Sequence, residues 1–148
     1  MRLGLKLSEQ YGVVAALDPQ TINNTTGSTD VVDLKDKERV MFILNTGATD
    51  TTVDFAIRQS NNSNGTSDVA LSGASITQYG ATDDNHIKII EVDAMAVKAA
   101  GYRYIFGKVT VGSGSTGALV AVIAIAANRY SPATDYDLTR VSEVVVKA

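Results

Sequence analysis

Residues 118–127 read ALVAVIAIAA, an unbroken apolar run that follows YRYIFGKVTV at 102–111 and GSGSTG at 112–117. Side chains alternate between the faces of a strand, so a strand with one wet face carries a polar residue at every second position. This run carries none. Its even set is Ala118, Val120, Val122, Ala124 and Ala126; its odd set is Leu119, Ala121, Ile123, Ile125 and Ala127. Such a strand needs cover on both faces, mostly from its own sandwich core and partly from a neighbour in a symmetric assembly. Its many alanines keep both faces small, which suits close packing between sheets or subunits. The stretch 112–117 is expected to be a flexible turn that pairs the two flanking strands as a hairpin.

The run is half the length that spans a bilayer as a helix, about 20 residues. Thirteen basic and 16 acidic residues leave a net charge of −3, which gives no basic footprint for nucleic acid. There is no cysteine, hence no disulfide framework and no thiolate chemistry. Lys6, Ser8, Glu9 and Gln10 interrupt the N-terminal apolar residues before a signal-peptide core can form. The expectation is a soluble protein made in a cell's cytoplasm, with neither membrane nor nucleic acid as partner.

Short strands separated by polar turns predict an all-β, single-domain antiparallel sandwich or barrel. Residues 12–17 form a strand stopped by Asp18-Pro19, and 22–28 a polar loop or edge. Strands follow at 29–34 and 40–45, with a charged turn at 35–39 and another turn at 46–51. Residues 53–59 alternate most clearly: Val53, Phe55 and Ile57 on one face, Asp54, Ala56 and Arg58 on the other. SNNSNGTS at 60–67 is a solvated hairpin loop with an Asn-Gly turn signal. Residues 69–79 are weakly β, and 87–92 form a strand. The one helix expected is 93–100, capped by Asp93 and closed by Gly101. We divide the chain into an N-terminal arm (1–11), a β body (12–128) and a C-terminal arm (129–148).

Chemistry-bearing patterns are sparse. Asp83-Asp84-Asn85-His86 resembles a metal cluster, but neighbours in one turn rarely converge on an ion, and there is no second histidine. GSGSTG lacks the lysine and following helix of a phosphate loop. The Asn-X-Ser/Thr sites at Asn23, Asn24, Asn61 and Asn64 read as surface loops. Glu9, Glu38, Glu91 and Glu143 show no paired spacing. No catalytic, cofactor-binding or metal-binding residue is assigned.

Contact-forming residues are more evident. Leu3, Leu5 and Leu7 alternate with polar or small residues, so 1–7 is an extended arm or strand with one apolar side that can add to a neighbour's sheet. Tyr11 follows it. Tyr130, Pro132, Tyr136, Val144 and Val146 mark a second arm at the C-terminus. Tyr102, Tyr104 and Phe106 share one strand face, as core or as an aromatic contact surface.

Four stretches carry a family resemblance: SEQYGVVAALDPQTIN, ERVMFILNTGATDTTVDFAIRQSNNSNGTSDVALSGASITQ, AAGYRYIFGKVTVGSGSTGALVAVIAIAANRY and SPATDYDL. Together they cover most of the chain, which resembles the capsid decoration (cement) proteins of tailed bacteriophages and their close structural relatives. The resemblance implies a β-tulip-like sandwich, a homotrimer, no cofactor, and the major capsid protein as partner on the capsid exterior of the virion. Another virion part (tail tube, head completion or fibre base) fits the same pattern. So does a carbohydrate-binding module with calcium at 83–85.

Overall fold

The computed structural model describes residues 6–128, 137 and 139–147. The elements are α1 (Leu7–Gln10), β1 (Tyr11–Ile22), β2 (Thr25–Ser28), β3 (Val32–Asp33), β4 (Lys37–Thr49), β5 (Val53–Ser60), β6 (Val69–Ser75), β7 (His86–Asp93), α2 (Ala94–Ala99), β8 (Tyr104–Val111) and β9 (Ala118–Asn128). Two antiparallel sheets form a β-sandwich. One has the order β1-β9-β4-β7; the other has β2-β8-β5-β6, with β3 beside β8.

Period-two alternation builds the core. Val40, Phe42 and Leu44 of β4 and Val120, Val122 and Ala124 of β9 are sealed from solvent. They face Val53, Phe55 and Ile57 of β5 and Ile105, Val109 and Val111 of β8, which are equally buried. Each large side chain buried this way contributes about 1.5–3 kcal/mol.

The expected hairpin at 102–127 does not form. β8 lies inside one sheet and β9 inside the other, so residues 112–117 cross the sandwich instead of pairing two neighbours. The crossing is also pinned. The Asp50 carboxylate accepts the amides of Thr116 at 2.7 Å and Gly117 at 2.9 Å. The Asn23 side chain accepts from the Gly114 amide at 3.0 Å and donates to its carbonyl at 2.9 Å. Thr51 Oγ1 donates to the Ser113 carbonyl. Gly117 sits at φ +94°, with the Ile22 carbonyl oxygen 2.2 Å from where a Cβ would stand. Glycine there follows from crowding and a left-handed backbone.

Other expectations shift by local chemistry. β1 runs through Asp18-Pro19, because the ladder skips them: the register with β9 breaks between Leu17 and Gln20. A proline on an edge strand at a bulge costs no ladder bond. β4 extends to Thr49 rather than turning at 46. The strand expected at 29–34 contracts to Val32–Asp33. Leu7 belongs to a helical turn, not to an extended arm; the Glu9 carboxylate accepts the Lys6 amide at 2.9 Å and folds the chain back. Helix α2 forms as expected, with Asp93 capping the Met95 amide and Gly101 at φ +87° beyond its end.

Candidate interaction surface

The outer face of the β1-β9-β4-β7 sheet is apolar. Ala16, Ile123, Ile43 and Ile89 stand opposite one another in a row across all four strands. The adjacent row is Val13, Ile125, Met41 and Glu91. On the other side lie Leu119, opposite Thr21, and Ile87, opposite Asn45, which also pairs Ala121. Ile87 is 60% exposed, Ile89 56%, Ile123 47% and Leu119 44%. The even set of β9 is therefore core, and the odd set faces outward, with Leu119 and Ile123 exposed and Ala121, Ile125 and Ala127 half-buried. The unbroken apolar run encodes two different surfaces, one intramolecular and one open.

Strand spacing sets the scale of this face. Four strands about 4.8 Å apart and about six residues long give a surface of about 19 by 20 Å, or roughly 400 Å². That falls within the range of the largest apolar patch on a typical monomer, about 300–600 Å², which is often functional. It is about half of what each partner contributes to a standard stable interface. One end is rimmed by Arg39, which pairs with Glu91 at 3.0 Å and Asp93 at 3.9 Å, one cation against two carboxylates. That end of the rim therefore presents a partner with one uncompensated negative charge.

The described part of the C-terminal arm is strapped to the body along the β1 edge. The Asp137 amide donates to the Val13 carbonyl at 2.8 Å. The Arg140 guanidinium binds both Asp18 and Asp30, and Asp30 exchanges bonds with the Ala16 backbone. Residues 142–147 carry no regular secondary structure, and Val144, Val145 and Val146 are 47, 79 and 43% exposed. Between strap and body lies a cleft of about 490 Å³ lined by Val14, residues 30–33 and 35–37, Asp137 and Thr139. Three of its four carboxylates, all but Asp36, have partners within the chain. Asp30 binds Arg140, Asp137 accepts from Thr139, and Asp33 binds Arg103 at 2.6 Å, which holds the Asp33 carboxyl below the usual carboxylate range.

Of the residues singled out from sequence, Leu7 is exposed on α1, Tyr11 is exposed at the start of β1, and Val144 and Val146 are exposed on the tail. Leu3, Leu5, Tyr130, Pro132 and Tyr136 lie outside the described residues. The aromatic trio does not form one surface. Phe106 is 8% exposed, with Gly65 of the Asn-rich loop against its ring. Tyr104 lies under the Arg103 guanidinium at 5.3 Å, and Tyr102 packs against the core. At the candidate metal turn, Asp83 accepts the Gly80 amide and Asp84 the Thr49 amide, both at 2.7 Å, while His86 lies beside Tyr79. Among the described residues no group of three His, Asp or Glu side chains is placed to hold a metal ion. The outward isoleucines of β7 were not singled out from sequence, although the spacing of Ile87, Ile89 and Glu91 put them on one face. The Arg140 clamp left no local signal, because its partners lie 110 and 122 positions away.

No family's sequence profile matches the chain, and no curated protein does. Among solved structures, a chain in the cryo-EM structure of Broad Bean Stain Virus aligns over 93% of this chain and 100% of that one. The TM-score is 0.45 and the sequence identity 12%.

Proposed function

We propose that this chain is a non-enzymatic structural protein of a tailed-phage virion: a capsid decoration protein, made in the host cytoplasm, that binds the outside of the assembled head as a homotrimer. The observation that carries the reading is the apolar outer face of the β1-β9-β4-β7 sheet, whose centre is Ile43 and Ile123. The resemblance of its sequence to decoration proteins supports it. So does a cleft in which Asp30, Asp33 and Asp137 are each bound within the chain. A face of roughly 400 Å² is too small to hold one copy firmly alone. Joined copies raise the effective concentration of each contact, and avidity supplies the difference. A protein that binds only the assembled shell stabilises it by mass action, with no reaction required.

Co-sedimentation of the purified chain with assembled, undecorated heads tests the proposal. The expected result is saturable binding that Ile123→Lys removes while the fold survives. A chain that stays in the supernatant with every shell of its source virus overturns it.

A further inference from the structure

The two edges of the β1-β9-β4-β7 sheet are treated differently. Native sheets block exposed edges with bulges, prolines or covering segments, because an open ladder recruits another strand. The β1 edge has all three: register breaks at Val14 and at Asp18-Pro19, and backbone bonds to Asp137 and Asp30. Among the described residues the β7 edge has no bulge, no proline and no backbone bond to a covering segment; its one device is the inward Lys88, which donates to the Thr77 carbonyl. Among the described residues β7 pairs along its full length with β4 alone, without a register break. Its outward Ile87 and Ile89 are the most exposed isoleucines on the sheet.

The same chain carries a strand-forming segment without a described ladder. Residues 144–146 are three consecutive valines, a residue type that favours β structure, and they follow directly on the residues strapped to the protected edge, at 47, 79 and 43% exposure. They cannot serve their own β7. From the strap line beside β1 to a new strand beyond β7 is five strand spacings, about 24 Å. Arg140 to Val144 is four residues, at most about 14 Å of extended chain.

We infer that residues 144–146 of one copy add as an edge strand to β7 of a second copy, joining donor and acceptor edges head to tail. The contact is heterologous, so a rotation that closes yields a ring. It also enlarges the apolar face by one strand of valines. Strand addition of this kind needs only copies of this chain, and so it stands or falls separately from capsid binding.

The chain's lack of cysteine makes the test direct. Chains carrying Ile89→Cys are mixed with chains carrying Val144→Cys, Val145→Cys or Val146→Cys, and oxidised without any viral particle present. At least one mixture is expected to give a disulfide-linked pair well above that from Leu119→Cys with the same tail variants. In light scattering, a chain ending at Val141 is expected to be a monomer where the full chain is an oligomer. The inference is overturned by tail variants that link no better than the control, by a full chain that is monomeric at high concentration, or by a truncation that leaves the subunit number unchanged. Truncation that abolishes only capsid binding also overturns it, since the tail's partner would then be the shell.

Discussion

The ring of Phe55 occupies the space that a side chain at position 107 would need: its Cε2 and Cζ atoms lie 2.8 and 3.0 Å from where a Cβ on Gly107 would stand. Gly107 faces inward on β8 and is buried, and Phe42 of the opposite sheet reaches within 3.4 Å of the same point, so the two sheets meet over this notch. Overpacking a filled core costs about 1–3 kcal/mol. Gly107→Val is expected to lower the urea midpoint by a corresponding amount, and Gly107→Ala by less. An unchanged midpoint would mean that the sheets have slack here.

The crossing between the sheets should weaken in acid. Amides of Thr116 and Gly117 point at the Asp50 carboxylate and hold its pKa below the ordinary value of 3.8. The folded state thus favours the charged form, and the unfolded chain takes up the proton first. This contribution is present above pH 3.8 and is lost as the pH falls through the lower folded-state value. Asp33 beside Arg103 and Asp68 beside Arg58 act with the same sign. Asp50→Asn should be less stable than the parent at neutral pH, with the gap narrowing below pH 3.8. Denaturation midpoints measured across that range check it; a gap that widens in acid contradicts it.

Neighbouring positions on β9 should answer different assays. Ile123 is 47% exposed and Val122 is sealed. Ile123→Lys is expected to change folding stability by no more than about 0.5 kcal/mol. It should weaken shell attachment by 2 kcal/mol or more, roughly 30-fold, if it sits at the centre of the contact. Val122→Ala should do the reverse, costing about 2 kcal/mol of stability with little effect on binding per folded molecule. Calorimetry beside a sedimentation assay separates the two.

The strap should come away without the body. Arg140 holds the tail through Asp18 and Asp30, and exposed ion pairs of this kind are weakened by salt. Arg140→Ala is expected to speed protease cleavage in residues 137–147 and to raise amide exchange at Val13 and Ala16, with the body's midpoint unchanged. High salt should mimic the variant in the parent chain. Equal cleavage rates in both chains would show that the clamp is not what holds the tail.

Much of the sandwich was legible because alternation is a local signal. Val53, Phe55 and Ile57 face inward as their spacing demands, and Asp93 and Gly101 bracket the helix as their types demand. The sheet to which a strand belongs is not local. Nothing between Val111 and Ala118 distinguishes a hairpin from a crossing, because the deciding partners, Asn23, Asp50 and Thr51, lie far away in sequence. The candidate surface was half legible. An all-apolar strand announces two dry faces, but not which is already covered, and the outward row continues onto Ile43 and Ile89, whose own strands look like ordinary core. Leu7 misled because alternation over seven residues ignores one capping carboxylate, Glu9.

The interior position of β9 also decides how a load on the outer face is borne. Ile123 and Ile125 belong to a strand bonded on both sides, to β1 and to β4. A pull transmitted through them must shear two ladders together. The same pull on an edge strand would open one ladder a bond at a time, like a zip. A load applied to this face would therefore fall on the part of the protein least able to unravel.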